Sequence, residues 1–343
     1  MRIAWIVYGD LDQPTGGYVY DRLVVEGLRA GGDEVEVVDP RETGLPCEPA
    51  DVLVGDALCV REIGPLFERV PGPAARVLLV HHLPSWEIEQ SNRDSMRRHE
   101  ARALAASDHA VATSVMTRDR LLRESAAPPV DVVVPGADRL PRAARPTEGA
   151  DLSCATLLFV GSLVARKRVA LLLDVLEGLP APPPRLTLLG DPDREPAYAR
   201  AIRERIEASA SLRASVTIAG VAGDEVLARW LARADALVLP SSLEGYGMVL
   251  TEALHAGLPV IAARPAAKAA AIGEHPAVRV FDDRADLAEL LRRFVHEPGL
   301  REALRSHALT ASLPTWSGAI DAFRRALGNA RRRPSSRGSL ERP

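Results

Sequence analysis

The sequence has few cysteines, no surplus of basic residues and no long hydrophobic run, and each shortage argues against a class of protein. Only 3 of the 343 residues are cysteine, without metal-ligand spacing, which argues against a disulfide framework or a zinc site and favours a cytoplasmic location. No stretch approaches the roughly 18 apolar residues that a membrane-spanning helix needs. Lysine and arginine number 43 against 46 aspartates and glutamates, so no basic surplus indicates a nucleic-acid partner.

What the sequence does contain is apolar material for two hydrophobic cores. With 343 residues, 47% of them apolar, the chain is expected to form two domains. The first apolar run, residues 3–8, is too short for a signal peptide and is expected to form a buried strand. Residues 330–343, rich in arginine, serine and proline, are expected to form a disordered tail, which could make a weak peripheral contact with anionic lipid.

Short β-branched or leucine-rich runs alternate with helical patterns along the whole chain. In the first half these runs are residues 3–8, 35–38, 52–54, 77–80, 110–112 and 130–134, and in the second half residues 157–160, 186–189, 216–219, 236–239, 260–262 and 278–281. Near-continuous apolar strands separated by helices predict an α/β fold with doubly wound parallel sheets. The first helix is expected over about residues 18–30, with Val19, Leu23, Val24 and Leu28 on its buried stripe.

The composition of residues 139–151, rich in proline, arginine and glycine, marks a linker between two Rossmann-like domains. We expect an N-terminal domain over residues 1–140 and a C-terminal domain over residues 150–314, with ligands at the carboxyl ends of the strands in the cleft between them. No Gly-x-Gly-x-x-Gly follows the first strand, so a dinucleotide-dependent oxidoreductase is a minor alternative.

The most informative segment, residues 239–262, places Glu244 and Glu252 on either side of a glycine-rich bend between a strand and a helix. Glycines in such a bend let a phosphate approach the backbone, and the amides of a helix start favour an anion. Glu252, expected in the first helical turn, can accept hydrogen bonds from the vicinal hydroxyls of a ribose. A glutamate that only stabilises the helix start, or only lies on a surface loop, is the alternative for each. The combination predicts a site for a sugar nucleotide.

This segment resembles the signature of family 4 retaining glycosyltransferases, which have the GT-B fold of two Rossmann-like domains facing across a cleft. The resemblance extends to Thr315-Trp316, which implies a closing helix over about residues 315–329 that packs back on an acceptor-binding N-terminal domain. It implies metal-independent transfer of a sugar, without a cofactor, to an acceptor hydroxyl. The donor would be a nucleotide-diphosphate sugar, with a UDP- or GDP-sugar foremost, bound by the C-terminal domain.

The resemblance also assigns roles to individual residues. Glu244 would orient the transferred sugar, Lys167 would neutralise the leaving phosphate, and His82 would contact the sugar or the acceptor. The substrate-binding positions that it implies are Gly16, Gly17, His81, Ser162, Arg166, Gly245, Tyr246, Gly247, Met248, Val249 and Glu252. Two adjacent histidines on an extended chain point in opposite directions, so only one of His81 and His82 is expected to face the ligand, with His82 preferred.

The sequence departs from the family pattern at three places. Ser162 stands where the family has an arginine, which Arg166 could replace, and Arg168 stands where the family has a glycine. Residues 263–268 lack the Gly-Gly-x-x-Glu segment of many members. Two alternatives therefore stay open: a GT-B-fold epimerase or hydrolase of sugar nucleotides, and a non-catalytic partner subunit that kept the fold.

Overall fold

The chain divides into two compact units. The computed structural model describes residues 1–42, 49–70, 74–87, 90–142 and 154–332. Unit 1 contains residues 1–135 and the C-terminal segment from Thr315 onward, and unit 2 runs without interruption from Gly136 to Pro314. Most of the predicted linker, residues 143–151, and residues 333–343 of the predicted tail lie outside the described residues.

Unit 1 is built on a six-stranded parallel sheet with flanking helices. Its strands are β1 (Arg2–Ile6), β2 (Glu34–Val38), β3 (Val52–Asp56), β4 (Ala75–Val80), β5 (His109–Ala112) and β6 (Val130–Val132), in the spatial order β2-β1-β3-β4-β5-β6. Its helices are α1 (Gly16–Ala30), α2 (Val60–Arg69), α3 (Gln90–Ala106), α4 (Val115–Glu124) and α13 (Trp316–Arg332). Every residue of β3 and of β4 is buried, as expected for strands covered on both faces.

Helix α1 buries half of the predicted stripe. It begins at Gly16 rather than near residue 18. Val24 and Leu28 are buried as predicted, whereas Val19 and Leu23 are only half-buried and Tyr20 and Asp21 are buried instead. The polar atoms of Tyr20 and Asp21 can be buried because they form hydrogen bonds inside unit 1. The Tyr20 hydroxyl donates to the Val133 carbonyl at 3.0 Å.

Helix α13 packs in unit 1 although its sequence follows unit 2. The rings of Trp5 and Phe323 lie 5.4 Å apart, and Phe323 is completely buried. Arg324 donates to the Asp33 carboxylate at the C-terminal end of α1, at 3.0 Å. The helix continues to Arg332, three residues past the end predicted at residue 329.

Unit 2 repeats the architecture with a different strand order. Its strands are β7 (Thr156–Val160), β8 (Arg185–Leu189), β9 (Val216–Gly220), β10 (Ala236–Leu239), β11 (Val260–Ala263) and β12 (Val278–Phe281), in the order β12-β11-β10-β7-β8-β9. Its helices are α5 (Val169–Glu177), α6 (Pro196–Ala208), α7 (Ala210–Ser215), α8 (Asp224–Arg233), α9 (Met248–His255), α10 (Arg264–Ala269), α11 (Arg284–His296) and α12 (Pro298–Leu309).

Each sheet reverses its winding direction once, and the predicted fold class of doubly wound parallel sheets is confirmed. The reversal lies between β1 and β3 in unit 1 and between β7 and β10 in unit 2. The loops that leave the carboxyl ends of these two strand pairs diverge to opposite faces and open a crevice, where doubly wound folds bind ligands. The chemistry of each unit is therefore expected at these two strand pairs.

Candidate functional site

The loops after β7 and β10, which flank the reversal of unit 2, carry most of the predicted donor residues. Ser162, Arg166 and Lys167 follow β7, and residues 244–249 follow β10. Lys167 ends a short 3-10 turn over Ala165–Lys167 and is almost fully buried. The structure thus brings the predicted lysine and the predicted Glu244 to one edge of one sheet.

Lys167 and Glu244 form a buried ion pair. The Lys167 ammonium donates to Glu244 Oε1 at 2.6 Å, and the Arg166 guanidinium lies 3.8 Å from Glu244 Oε2 while donating to the Leu243 carbonyl. Burial alone would raise the pKa of Glu244, but the charges of Lys167 and Arg166 outweigh it and hold that pKa below its ordinary value. Two cations around one carboxylate leave a net positive charge here, which favours an anionic ligand.

The residue after Lys167 has a backbone conformation that explains one departure from the family pattern. Arg168 has φ +54° and ψ +37°, in the left-handed region, at the position where the family has glycine. Glycine reaches this region without a steric penalty, whereas arginine pays about 1 kcal/mol for it. Arg168 therefore adopts a conformation that glycine adopts more easily, and α5 begins directly after it at Val169.

The bend after β10 turns at Gly247 and leads into α9. Gly247 has φ +86°, and a Cβ there would lie 3.1 Å from Leu250 Cδ1. Helix α9 begins at Met248, so the backbone amides at the predicted positions Met248 and Val249 form its free N-terminal end. Gly245 and Tyr246 complete the bend, and Tyr246 is buried.

Glu252 lies one turn deeper in α9 than predicted. Because the helix starts at Met248, Glu252 belongs to its second turn rather than its first, and the alternative that Glu252 only stabilises the helix start does not fit this position. The side chain is buried, and its Oε1 accepts a hydrogen bond from Arg139 Nε at 3.0 Å. Burial raises the pKa of Glu252 above its ordinary value, although the Arg139 charge opposes the shift.

Arg139 and Asp224 are site residues that the sequence did not reveal. The Arg139 guanidinium donates to Asp224, at the start of α8, as well as to Glu252. Arg139 lies in the segment predicted as a linker, where an arginine is ordinary, and no spacing connects it to a residue 113 positions away. Its role became visible only through the tertiary contact.

In unit 1, the predicted glycines and histidines lie near the carboxyl ends of β1 and β4. Gly16 and Gly17 start α1, and a Cβ on Gly17 would lie 3.4 Å from His81 Cδ2. The two histidines have different surroundings. His82 Nε2 lies 2.9 Å from Glu87 Oε1, whereas His81 Nε2 lies 3.0 Å from Asp21 Oδ1.

His81 belongs to a buried cluster with Asp21 and Asp56, and the sequence predicted neither aspartate. Both carboxyl groups are buried, which raises their pKa values to about 7; a hydrogen bond from Trp5 opposes the shift at Asp21, and the charge of Asp21 adds to it at Asp56. Burial lowers the pKa of His81, opposed by Asp56. A lone aspartate in a helix or at a strand end is ordinarily exposed, so no sequence signal separated these two from surface residues.

Among the described residues, no helix is both long enough and apolar enough to cross a membrane.

Comparison with known proteins gives one family and one fold. Residues 143–310 match the family model described as "Glycosyl transferases group 1". The D-inositol 3-phosphate glycosyltransferase of Rhodococcus opacus (strain B4) is 30% identical over 250 residues, which cover 67% of this chain and 56% of that protein. The chain therefore spans little more than half the length of this curated relative.

Two solved structures share the fold over nearly the whole chain. The sucrose-phosphate synthase of Thermosynechococcus elongatus has a TM-score of 0.80 at 18% identity, covering 96% of this chain and 98% of the other. Anabaena HepE, solved in complex with UDP-glucose, has a TM-score of 0.76 at 15% identity, with coverage of 96% and 100%. At these identities the likeness shows a common fold. The family match, by contrast, identifies residues 143–310 of this chain as a member of the group 1 glycosyltransferases.

Proposed function

We propose that the chain is a retaining, metal-independent glycosyltransferase that moves a sugar from a nucleotide-diphosphate sugar to an acceptor hydroxyl. The observation that carries this proposal is the buried contact of Lys167 and Arg166 with Glu244 at the reversal of the unit 2 sheet. It lies within the segment that matches the family model. A cationic pair beside a carboxylate suits a ligand with a diphosphate at one end and hydroxyls at the other.

The donor would be held through its diphosphate and its ribose. Lys167 and Arg166, with the free amides at the start of α9, would neutralise the charge that grows on the departing diphosphate. The second oxygen of Glu252 would accept hydrogen bonds from the ribose hydroxyls, because Arg139 occupies only Oε1. The hydrogen bond from Arg139 would hold the Glu252 side chain in place.

When the diphosphate binds Lys167 and Arg166, the Glu244 carboxylate would be released from these two cations and would orient the sugar. The bond between the anomeric carbon and the phosphate oxygen breaks, and the acceptor oxygen bonds to the same face of that carbon. The proton of the acceptor hydroxyl passes to the leaving phosphate, so no side-chain base is required. Lys167 and Arg166 supply the charge that a metal ion provides in other transferases, which supports metal independence.

UDP is the nucleotide that we propose first, because HepE, which shares the fold, was solved with UDP-glucose. A thermal-shift series with UDP-, GDP-, ADP- and dTDP-sugars tests this, since a ligand that binds only the folded state raises its melting temperature. We expect the UDP-sugar to give the largest rise. Its dissociation constant should be the same in EDTA as in Mg²⁺, and a strict need for Mg²⁺ would contradict metal independence.

Variants at the two glutamates test the assigned roles. Glu244→Gln should lower kcat by about a hundredfold or more with a smaller change in KM, because we propose that Glu244 contacts the sugar in the transition state. Glu252→Gln should raise the KM for the donor by about tenfold, because its partner is the bound ribose. Glu204→Gln, an exposed helix glutamate of the same unit, is the matched control and should change neither.

The two alternative functions give different results in the same assay. Incubation with the donor alone would release free nucleotide from a hydrolase and change the sugar in an epimerase. A partner subunit without activity would bind the nucleotide but show no turnover with any acceptor. Transfer that persists in Glu244→Gln would remove Glu244 from the mechanism.

A further inference from the structure

The cluster of Asp21, Asp56 and His81 is built for a ligand outside the donor site of unit 2. Asp21 projects from α1, Asp56 ends β3 and His81 follows β4, so three elements meet at the reversal of the unit 1 sheet. Asp21 and Asp56 are 0% and 1% exposed. One oxygen or nitrogen from each residue lies within 4.8 Å of the other two.

One oxygen of this cluster has no hydrogen-bond donor. Among the described residues, no backbone amide and no lysine, arginine, histidine or hydroxyl group donates to Asp56 Oδ2, although this oxygen is buried. It lies 3.7 Å from His81 Nε2. A buried carboxylate oxygen without a hydrogen bond is costly, and native structures seldom keep one without a reason.

Each carboxylate is anchored through its other oxygen. Trp5 Nε1 donates to Asp21 Oδ2 at 3.1 Å, and the Leu58 amide donates to Asp56 Oδ1 at 2.8 Å. The remaining oxygens, Asp21 Oδ1 and Asp56 Oδ2, lie beside His81 Nε2, at 3.0 Å and 3.7 Å. Outer hydrogen bonds that fix the inner ligand atoms are the usual support of a metal site.

Geometry and charge both suit a divalent ion. Ligands bound to Zn²⁺ at about 2.0–2.2 Å in a tetrahedron lie roughly 3.3–3.6 Å from one another, which is between the two observed separations. In the described part of the chain, neither Asp21 nor Asp56 forms an ion pair with lysine or arginine. Binding of a divalent ion would displace any proton held by the two carboxyl groups, and the two carboxylates would then balance the charge of the ion.

We propose that Asp21, Asp56 and His81 bind one divalent metal ion, Zn²⁺ or Mn²⁺, which ties α1 to the ends of β3 and β4. Imidazole nitrogen suits zinc and carboxylate oxygen suits manganese, so the mixed ligand set admits both. The ion belongs to unit 1, and the proposal does not depend on the glycosyl transfer assigned to unit 2.

The test is metal binding by the full-length, tag-free protein after dialysis against a chelator. Calorimetric titration with ZnCl₂ or MnCl₂ and elemental analysis should give one ion per chain, together with a higher melting temperature. Asp56→Asn should weaken binding by at least a hundredfold while circular dichroism stays unchanged. Trp5→Phe removes the outer hydrogen bond to Asp21 but no ligand, and should weaken binding by about 10- to 100-fold.

A matched control comes from a second aspartate–histidine pair of the same unit. His109 Nε2 lies 3.0 Å from Asp131 Oδ2, and no described residue adds a third metal-ligating side chain to this pair. Asp131→Asn should therefore leave the metal affinity unchanged. The proposal is overturned if the unaltered protein binds neither ion stoichiometrically, or if Asp56→Asn and Trp5→Phe bind as well as it does. If Asp56→Asn does not fold, the proposal is tested by the metal affinity of Trp5→Phe and by the metal stoichiometry of the unaltered protein. The thermal shift by a UDP-sugar is a separate readout, so either proposal can fail alone.

Discussion

Gly16 offers a test at the scale of one residue, because no described neighbour restricts a larger side chain there. It is the first residue of α1, and a Cβ added to it would meet no atom of the described residues within 4 Å. We expect Gly16→Ala to leave the melting temperature unchanged. If the donor approaches this backbone, as the sequence predicts, the methyl group should raise the KM for the donor about tenfold.

Gly299 provides the control for this substitution. It is the second residue of α12, and a Cβ there also meets no described atom within 4 Å. Because the preference of alanine over glycine applies to helix interiors, Gly299→Ala should leave the melting temperature unchanged, as expected for Gly16→Ala, and should leave the KM unchanged as well. An unchanged KM in Gly16→Ala would show that the backbone at Gly16 does not contact the donor.

Site residues that lie in recognisable motifs were predictable from the sequence, whereas those that meet only in the folded structure were not. Lys167 and Glu244 lie 77 positions apart, yet both follow strands within recognisable segments, and the structure joins them. Arg139, Asp21 and Asp56 carry no local pattern. Whether an isolated charged residue is buried depends on tertiary packing, which the sequence near it does not encode.

At the scale of elements, the contact between α1 and α13 depends on a glycine. A Cβ on Gly27 would lie 2.2 Å from Ile320 Cδ1 and 2.6 Å from Cγ1, so the whole side chain would have to move. We expect Gly27→Ala to lower the free energy of unfolding by about 1–3 kcal/mol, despite the better helix propensity of alanine. Urea denaturation measures this directly.

The double variant Gly27→Ala/Ile320→Ala isolates the cause. Shortening Ile320 removes the clash, so the cost of Gly27→Ala should be smaller in the Ile320→Ala background than in the original protein. Equal costs in both backgrounds would mean that the glycine matters for another reason, such as the conformation of α1 itself.

The ion pair between Arg324 and Asp33 makes the same helix contact sensitive to acid. Burial opposes ionisation of Asp33, but hydrogen bonds from the Met1 ammonium and Arg324 outweigh it and lower the pKa of Asp33. A lowered pKa contributes stability above the ordinary value of 3.8, and the contribution is lost as the pH falls through the folded-state pKa. Asp33→Asn should cost about 1 kcal/mol at pH 7 and progressively less below pH 4. If Asp33→Asn lowers the free energy of unfolding by the same amount at pH 7 and below pH 4, the loss comes from packing and not from the ion pair.

At the scale of the whole molecule, the positions of the strands were predictable from the sequence, but their order in the two sheets was not. Each of the twelve apolar runs named from the sequence overlaps a strand, because parallel strands covered on both faces are nearly continuous in hydrophobicity. The strand orders of the two sheets differ, and nothing in the runs distinguishes them. Order is set by which helix crosses to which face, a long-range property of the packed domain.

The discontinuity of unit 1 predicts an asymmetry between fragments of the chain. Residues 136–314 are continuous and enclose their own core, so this fragment should unfold cooperatively. Residues 1–135 lack α13, whose Phe323 and Leu327 are 0% exposed in the full chain. Losing these two side chains removes about 3–6 kcal/mol of burial, a large share of the stability of a typical domain.

We therefore expect residues 1–135 alone to bind a hydrophobic dye and to melt without a cooperative transition. Adding a peptide of residues 315–332 should restore near-ultraviolet circular dichroism. Cooperative unfolding of the fragment without the peptide would show that α13 only covers the surface of a core that is already stable.

The close approach of two loops in unit 2 has a consequence for protein engineering. A Cβ on Gly190, just after β8, would lie 2.0 Å from the carbonyl oxygen of Gly161, just after β7. The backbone that leads to Ser162 is thus held against a neighbouring strand end where no side chain fits. Libraries that aim to change donor preference should keep positions 161 and 190 as glycine and diversify Ser162, which stands where the family pattern has an arginine.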